Sequence, residues 1–225
     1  MTLPALRRLS ISLALGTSGV LVAMVIASLV TGATQETHEH FHPPAEYATN
    51  LLAHPAGVRL VFALDIAFLA LYTGFFAALA AYLHAVGRPF TRLALGALLA
   101  VSFLDIVEDH NILSFLSLAE AGQPIDVSDI RLQEVISSTK FSISYVSLFL
   151  FGIAIPRTDP ISWTLSLFLT VGTLFTAVLG YGAPPAWRDS LDNGRWVGFL
   201  VGFVIAILWL RKAPDDAPSR IEAGN

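Results

Sequence analysis

The amino-acid sequence predicts an all-α membrane protein with six transmembrane helices. The chain is 55% hydrophobic and only 13% charged, whereas soluble domains carry about 25% charged residues. Six apolar stretches each reach the roughly 18–20 residues that a helix needs to cross a bilayer. A helix satisfies its own backbone hydrogen bonds in lipid, so helices are favoured over strands. The stretches lie near residues 9–31, 57–84, 91–118, 133–155, 160–182 and 194–211.

The first stretch follows Arg7 and Arg8 and is longer than the roughly 7–15 apolar residues of a signal peptide. It therefore predicts a retained helix, although the sequence "TGAT" after it leaves cleavage open. Short Gly- and Pro-containing turns at 87–90 and 155–160 alternate with longer loops at 37–57 and 119–134. We expect residues 1–212 to form one transmembrane domain, followed by a disordered cytoplasmic tail at 213–225.

Lys and Arg in the short loops predict the orientation in the membrane. Eight of these residues lie on one predicted side and four on the other, which places both termini in the cytoplasm of a multi-pass inner-membrane protein. The opposite loops are acidic, which excludes nucleic acid as a partner. The chain has no cysteine, so disulfides and thiolate metal sites are excluded. The eight Lys and Arg residues of the predicted cytoplasmic side are Arg7, Arg8, Arg88, Arg92, Arg157, Arg211, Lys212 and Arg220. The four of the opposite side are Arg59, Arg131, Arg188 and Arg195.

The third apolar stretch contains an unusually polar segment, "LDIVEDHNIL", at residues 104–113. Asp105, Glu108 and Asp109 are spaced i, i+3 and i+4, so they share one helical face. Asn111 lies three residues after Glu108, whereas His110 points to another side. A charge facing hydrocarbon costs at least a few kcal/mol, so such residues usually face the bundle interior and mark a function.

Two further helices carry charge to a similar depth. At about 1.5 Å per residue, Asp65 and Lys140 lie about 12 Å below the outer helix ends and Asp109 about 13 Å. Ser137, Lys140 and Ser144 lie on one polar face of the fourth helix. We therefore predict an outward-facing acidic pocket in which Lys140 pairs with carboxylates, Asp109 among them. Four carboxylates against one lysine also predict at least one shared proton.

The loop at 37–57 contains a second chemical signal, the sequence "HEHFH". It places His38, His40 and His42 at alternate positions, which point the same way in an extended segment. Neutral imidazoles bind divalent Zn, Cu or Fe. We expect a divalent metal cofactor (Zn, Fe, Cu or Mn) here, with Glu36, Glu39 or His54 as a further ligand. If the loop folds over the pocket, the ligands on the membrane side are His110, Asp109, Glu108 and Asp65.

Three functions are compatible with these patterns. The first is binding or transport of a cation, a proton or a small cationic molecule by the acidic pocket. The second is a membrane-embedded, metal-dependent enzyme that acts on a lipid-like substrate. The third is an accessory subunit of a larger membrane complex.

The spacing of small residues predicts the partners. The bilayer surrounds the chain, and Gly194, Gly198 and Gly202 form a ridge that favours close helix packing. This ridge packs inside the monomer, in a homo-oligomer or against a subunit of a larger complex.

Overall fold

The computed structural model describes residues 1–182, 184 and 187–213, apart from the side chains of 188–193. Over these residues the chain is helical and has no strand. The predicted tail at 213–225 lies outside the described residues, except for Ala213. The helices are α1 (Leu3–Thr31), α2 (Glu36–Glu39), α3 (Pro44–Ala53), α4 (Pro55–Ala85), α5 (Thr91–Glu120), α6 (Val127–Ala154), α7 (Pro160–Leu167), α8 (Thr173–Gly182) and α9 (Arg188–Lys212), with a π-helical turn at Phe168–Gly172 between α7 and α8.

Among the described residues, five helices are long and apolar enough to cross a membrane. They are Leu3–Thr31, Pro55–Ala85, Val127–Ala154, Pro160–Gly182 and Gly194–Lys212. These confirm the all-helical membrane class. Helix α5 has 30 residues but is not among the five, because Asp105, Glu108 and Asp109 interrupt its apolar sequence. The count of six spans and the orientation of the termini stay predictions.

The helices close into a ring. Helix α1 packs along α4, α4 against α5, α5 against α6, and α6 against the π-helical turn, while α9 contacts both α7 and α1. The Arg7 guanidinium donates a hydrogen bond to the carbonyl oxygen of Ala213, which joins the two ends of the described chain. A cluster of aromatic side chains fills the core, including Tyr72, Phe76 and Phe151.

Small residues permit two of the close helix contacts. A Cβ added at Gly152 of α6 would lie 2.7 Å from Cγ2 of Thr170 in the π-helical turn. At Gly74 of α4 the nearest atom would be a Leu13 side-chain carbon at 3.5 Å, which is ordinary contact. The first position therefore requires glycine, whereas the second tolerates a small side chain.

Residues 33–54, which we name the cap segment, fold over one end of the bundle. This end, where α4 begins at Pro55 and α5 ends at Glu120, is called the loop end. Tyr47 and Leu51 of α3 are fully buried. The Tyr47 hydroxyl donates a hydrogen bond of 2.9 Å to the His38 carbonyl oxygen, and its ring meets Phe115 of α5 edge-on. The backbone N–H of Phe41 donates to Oε1 of Glu134 on α6 at 3.3 Å. The cap segment is thus packed onto the helices. This packing is a condition of the hypothesis that the loop at 37–57 folds over the pocket.

Candidate cation site

Helices α4, α5 and α6 bring four acidic groups and one lysine together beneath the cap segment. Glu108 and Asp109 are 0% exposed, Asp65 3% and Lys140 5%. Asp105 is half-buried. These five residues, here called the charged cluster, came from the sequence as candidate ion-binding residues, and the structure places them side by side.

Lys140 neutralises one half of the charged cluster. Its Nζ donates a hydrogen bond of 2.8 Å to Oδ1 of Asp105 and another to Oε2 of Glu108. A third carboxylate, Glu39 of the cap segment, lies 3.8 Å away. Two of the three N–H donors of the ammonium group therefore have a carboxylate acceptor, and Glu39 adds an ion pair. The depth estimate predicted Asp109 as a partner; the structure places Asp105 and Glu108 there instead, since depth does not fix rotation about the helix axis.

Both carboxylate oxygens of Glu108 accept hydrogen bonds. Oε1 accepts a hydrogen bond of 3.1 Å from Nε2 of Gln133 and one from the Ser137 hydroxyl, while Oε2 accepts from Lys140. Gln133 is fully buried on α6. It was not among the sequence candidates, although its position four residues before Ser137 extends the same polar face.

Asp109 has a different environment. Both of its carboxylate oxygens are buried, and among the described residues their only hydrogen-bonding partner is the Asp65 carboxyl group. One oxygen each of Asp65, Asp105 and Asp109 lies within 4.8 Å of the other two. Gln35 of the cap segment donates from its Nε2 to Oδ2 of Asp65 at 3.2 Å. A buried carboxylate without a donor is costly unless a proton or a cation neutralises it.

The cap segment closes the site mainly with acidic groups. Glu39 is 4% exposed, and its Oε2 lies 3.1 Å from Nη2 of Arg195 on α9. Glu36 accepts a hydrogen bond from the indole N–H of Trp196. Burial raises the pKa of Glu36 above its usual value, and the charge of Glu39 acts in the same direction. From the sequence, both residues were considered only as further metal ligands.

A small cleft, of about 70 Å³, lies between the cap segment and the helices. Asp65, Asp105 and Lys140 form its floor, and Arg195 and Trp196 form its α9 side. Ser144, another candidate pocket residue, also lines the cleft. Asn111 is half-buried on α5 and does not line it.

The structure does not bring the histidines together. His42 Nδ1 lies 3.0 Å from Oε1 of Glu46, and His110 is exposed with Nδ1 2.8 Å from the Ile106 carbonyl oxygen. His54 is exposed and lies against Gly32, and His40 is half-buried. Over the described part of the chain, the three aspartates form the only group of three or more acidic or histidine side chains spaced for one ion.

His38 is the buried histidine of the cap segment. It is 2% exposed, and its Nδ1 has no hydrogen-bond partner among the described residues. Its ring meets Tyr47 edge-on at 5.7 Å between centroids. The pKa of His38 is lowered from 6.5 to about 4, chiefly by desolvation and to a lesser degree by the neighbouring His42. The pKa of Tyr47 is raised, chiefly by burial.

Comparison of the chain with models of protein families, with curated proteins and with solved structures finds no match in any of the three. The chemistry of the site is therefore the basis for a functional assignment.

Proposed function

We propose that this protein is a six-span inner-membrane protein, with both termini in the cytoplasm, that binds a cation at Asp65, Asp105 and Asp109 in exchange for protons. The observation that carries the proposal is the Asp109 carboxylate, which is 0% exposed and, among the described residues, has no hydrogen-bonding partner apart from the neighbouring Asp65 carboxyl group. Asp65 and Asp105 lie close enough to share one ion with it. Transport of the ion across the membrane is the extension that this binding site favours.

The balance of charge supports the proposal. Five carboxylates meet at the site, those of Asp65, Asp105, Glu108 and Asp109 and that of Glu39 from the cap segment. Two cationic side chains face them: Lys140 contacts Asp105, Glu108 and Glu39, and Arg195 contacts Glu39. Neither cation is paired with Asp65 or Asp109. A divalent cation, or protons, would neutralise that half of the site.

The donor atoms determine which metal fits. Three carboxylates provide only oxygen, and hard oxygen donors suit Mn²⁺, Mg²⁺ or Ca²⁺ better than soft donors do. The histidines were the reason to consider Zn, Fe and Cu. No histidine belongs to the group of three aspartates, so these metals would have no imidazole ligand there. Asp65, Asp105 and Asp109 would hold the ion, and Lys140 would stay with Glu108 as an internal counterion.

The residues of the chain itself explain how entry and release would work. Gln35 donates to Asp65 from the cap segment, so an ion that enters from the loop end displaces this amide. A proton on Asp109 and an ion beside it exclude each other, because both neutralise the same oxygens. Binding therefore releases protons and strengthens as the pH rises.

Binding of Mn²⁺ to the detergent-purified protein, measured by electron paramagnetic resonance, tests the proposal. We expect about one ion per chain, with proton release into a weakly buffered solution. Asp109→Asn should weaken binding at least tenfold. Asp129→Asn, which changes an exposed aspartate at the start of α6, is the matched control and should bind as the wild type does. Equal binding by the Asp109→Asn variant would refute the proposed site.

A metal-dependent enzyme acting on a lipid-like substrate is the second candidate. It is favoured because Asp65 and Asp105 line the open cleft, so an ion held there would keep a side free for a substrate, as catalytic metal sites do. Turnover of a lipid ester by the Mn²⁺-loaded protein, absent in the Asp109→Asn variant, would support it. The accessory-subunit alternative predicts instead that other subunits co-purify in a fixed ratio.

A further inference from the structure

A second cavity, of about 290 Å³, lies between α6, the α7–α8 segment and α9. Aromatic and aliphatic side chains form most of its wall, among them Phe76, Leu148, Phe168 and Phe203. Its volume is close to the lower limit of the roughly 300–1,000 Å³ of pockets that hold drug-sized ligands. Phe175 also lines it and is 64% exposed, so the cavity reaches the outer surface of the bundle.

The glycine ridge of α9 forms one wall of this cavity instead of packing against a helix. A Cβ added at Gly194 or Gly198 would meet nothing within 4 Å. At Gly202 it would lie 3.2 Å from Cε1 of Phe168. The ridge is thus open toward the loop end and closed one turn further along, which gives the cavity a wide end near Arg195 and a narrow end near Gly202.

The wide end lies next to the acidic cleft, and Arg195, stacked 3.9 Å over the Phe141 ring, lies between the two. Phe141, Ser144, Arg195 and Phe199 line both cavities. A molecule with a polar head and a long apolar chain would therefore place its head in the cleft and its chain along the glycine wall. Either cavity alone would accommodate only one part of such a molecule.

The cleft determines the charge of the head group. Its lining includes four acidic side chains, those of Glu36, Glu39, Asp65 and Asp105, against the cations Lys140 and Arg195. Tyr72, Trp196 and Phe199 add aromatic side chains, which attract cations within about 6 Å. This surface complements an ammonium group better than a phosphate or a carboxylate.

We propose that the two neighbouring cavities bind a long-chain amphiphile with an amine head group, whose ammonium lies in the acidic cleft and whose chain lies against Gly194 and Gly198. The proposal names the class of small cationic molecule that the acidic site would accept. It rests on the acidic cleft of the proposed function but needs no bound metal. Lateral entry at Phe175 gives the chain a route from the surrounding lipid.

Binding of radiolabelled oleylamine to the detergent-purified protein tests this, with oleyl alcohol, oleic acid and butylamine as competitors. Oleylamine should bind saturably, and none of the competitors should displace it at tenfold excess. Gly198→Leu fills the apolar wall and should weaken binding at least tenfold. Gly96→Leu is the matched control, since Gly96 also has nothing within 4 Å of an added Cβ and is exposed on α5; it should bind normally.

Other outcomes overturn the proposal. Equal displacement by the alcohol and the acid would show simple partition of chains into an apolar space. Conversion of a dimer to a monomer by Gly198→Leu, with unchanged oleylamine affinity, would show that a second copy of the chain occupies the wall. If the protein binds oleylamine but no Mn²⁺, the proposed metal is refuted and the amphiphile proposal stands. The two tests are independent, because both Gly variants keep all three aspartates.

Discussion

Nζ of Lys140 lies 2.8 Å from Oδ1 of Asp105, although 35 residues separate the two in sequence. The same ammonium donates to Glu108, which is completely buried. One cation of α6 thereby holds two anions of α5, and no other described contact between these helices carries opposite charges. The α5–α6 pair depends on this lysine.

Lys140→Met should strongly destabilise the protein, because it leaves Asp105 and Glu108 buried without a cation. Breaking a buried ion pair on one side costs about 3–5 kcal/mol. The melting temperature in detergent measures the loss, and Lys212→Met at the exposed end of α9 is the control. Adding Glu108→Gln to Lys140→Met should recover part of the loss. Simple additivity of the two changes would contradict the pairing.

Asp109→Asn should leave the melting temperature unchanged or raised in metal-free buffer, whereas Asp105→Asn should lower it. Asp105 accepts a charge-assisted hydrogen bond from Lys140, and such bonds contribute about 1.5–3 kcal/mol. Among the described residues Asp109 has only the Asp65 carboxyl group as a hydrogen-bonding partner, and an Asn amide can donate to that group, so neutralising Asp109 removes only a burial cost. Equal destabilisation by both substitutions would mean that Asp109 has a further partner in the folded protein.

His38 should make the cap segment less stable in mild acid. Its pKa is lowered from 6.5 to about 4, first by desolvation and then by His42. In the opened state the imidazole takes up a proton below about pH 6.5, whereas the buried ring does not until about pH 4. The open state then binds more protons, so closure weakens as the pH falls through this window, by up to about 3 kcal/mol.

Hydrogen exchange of residues 35–47 between pH 7 and pH 4.5 measures this effect after correction for the intrinsic exchange rate. Glu36, whose pKa is raised by burial, acts in the opposite direction, since its open state loses a proton first as the pH rises. Glu39 and Tyr47 also face His38. In the His38→Phe variant the corrected exchange rate should therefore rise less as the pH falls. His110→Phe, at an exposed position, should leave the pH dependence unchanged. A steep rise of exchange at low pH in the His38→Phe variant would assign the effect to another group.

Gly152→Val should destabilise the contact between α6 and the π-helical turn. A Cβ there would lie 2.7 Å from Thr170 Cγ2 and 2.9 Å from Leu169 Cβ. Overpacking of this kind costs about 1–3 kcal/mol, which a thermal melt detects. Gly19→Val on α1 is the control because an added Cβ there meets nothing within 4 Å. A melting temperature equal to that of the control would show that the turn relaxes freely.

Much of the fold and part of the site were predictable from the sequence. Hydropathy predicted an all-helical membrane protein, which the structure confirms as a class, since lipid leaves a chain few other structures. The helical rise per residue predicted that Asp65 and Lys140 lie at the same depth. It does not determine the rotation of each helix about its axis. That rotation decides that Lys140 contacts Asp105 and Glu108 and that Asp109 faces Asp65.

The contribution of the cap segment was predicted less well. The histidine hypothesis assumed an extended "HEHFH", but residues Glu36–Glu39 form a helical turn, so alternate side chains no longer point the same way. Glu39 reaches Lys140 across 101 positions and Arg195 across 156. Contacts at such separations depend on how the whole chain folds back, and no local pattern encodes them.

The contact of α1 with α9 constrains how the protein is made. Helix α1 leaves the ribosome before α9, which is the last described helix. Until α9 is inserted, the α9-facing side of α1 has only lipid beside it and Arg7 has no Ala213 carbonyl to bind. Helices α1, α4, α5 and α6 can assemble during synthesis, but the ring closes only after α9 enters the bilayer. The last helix therefore completes both the walls of the cleft and the assembly of the bundle.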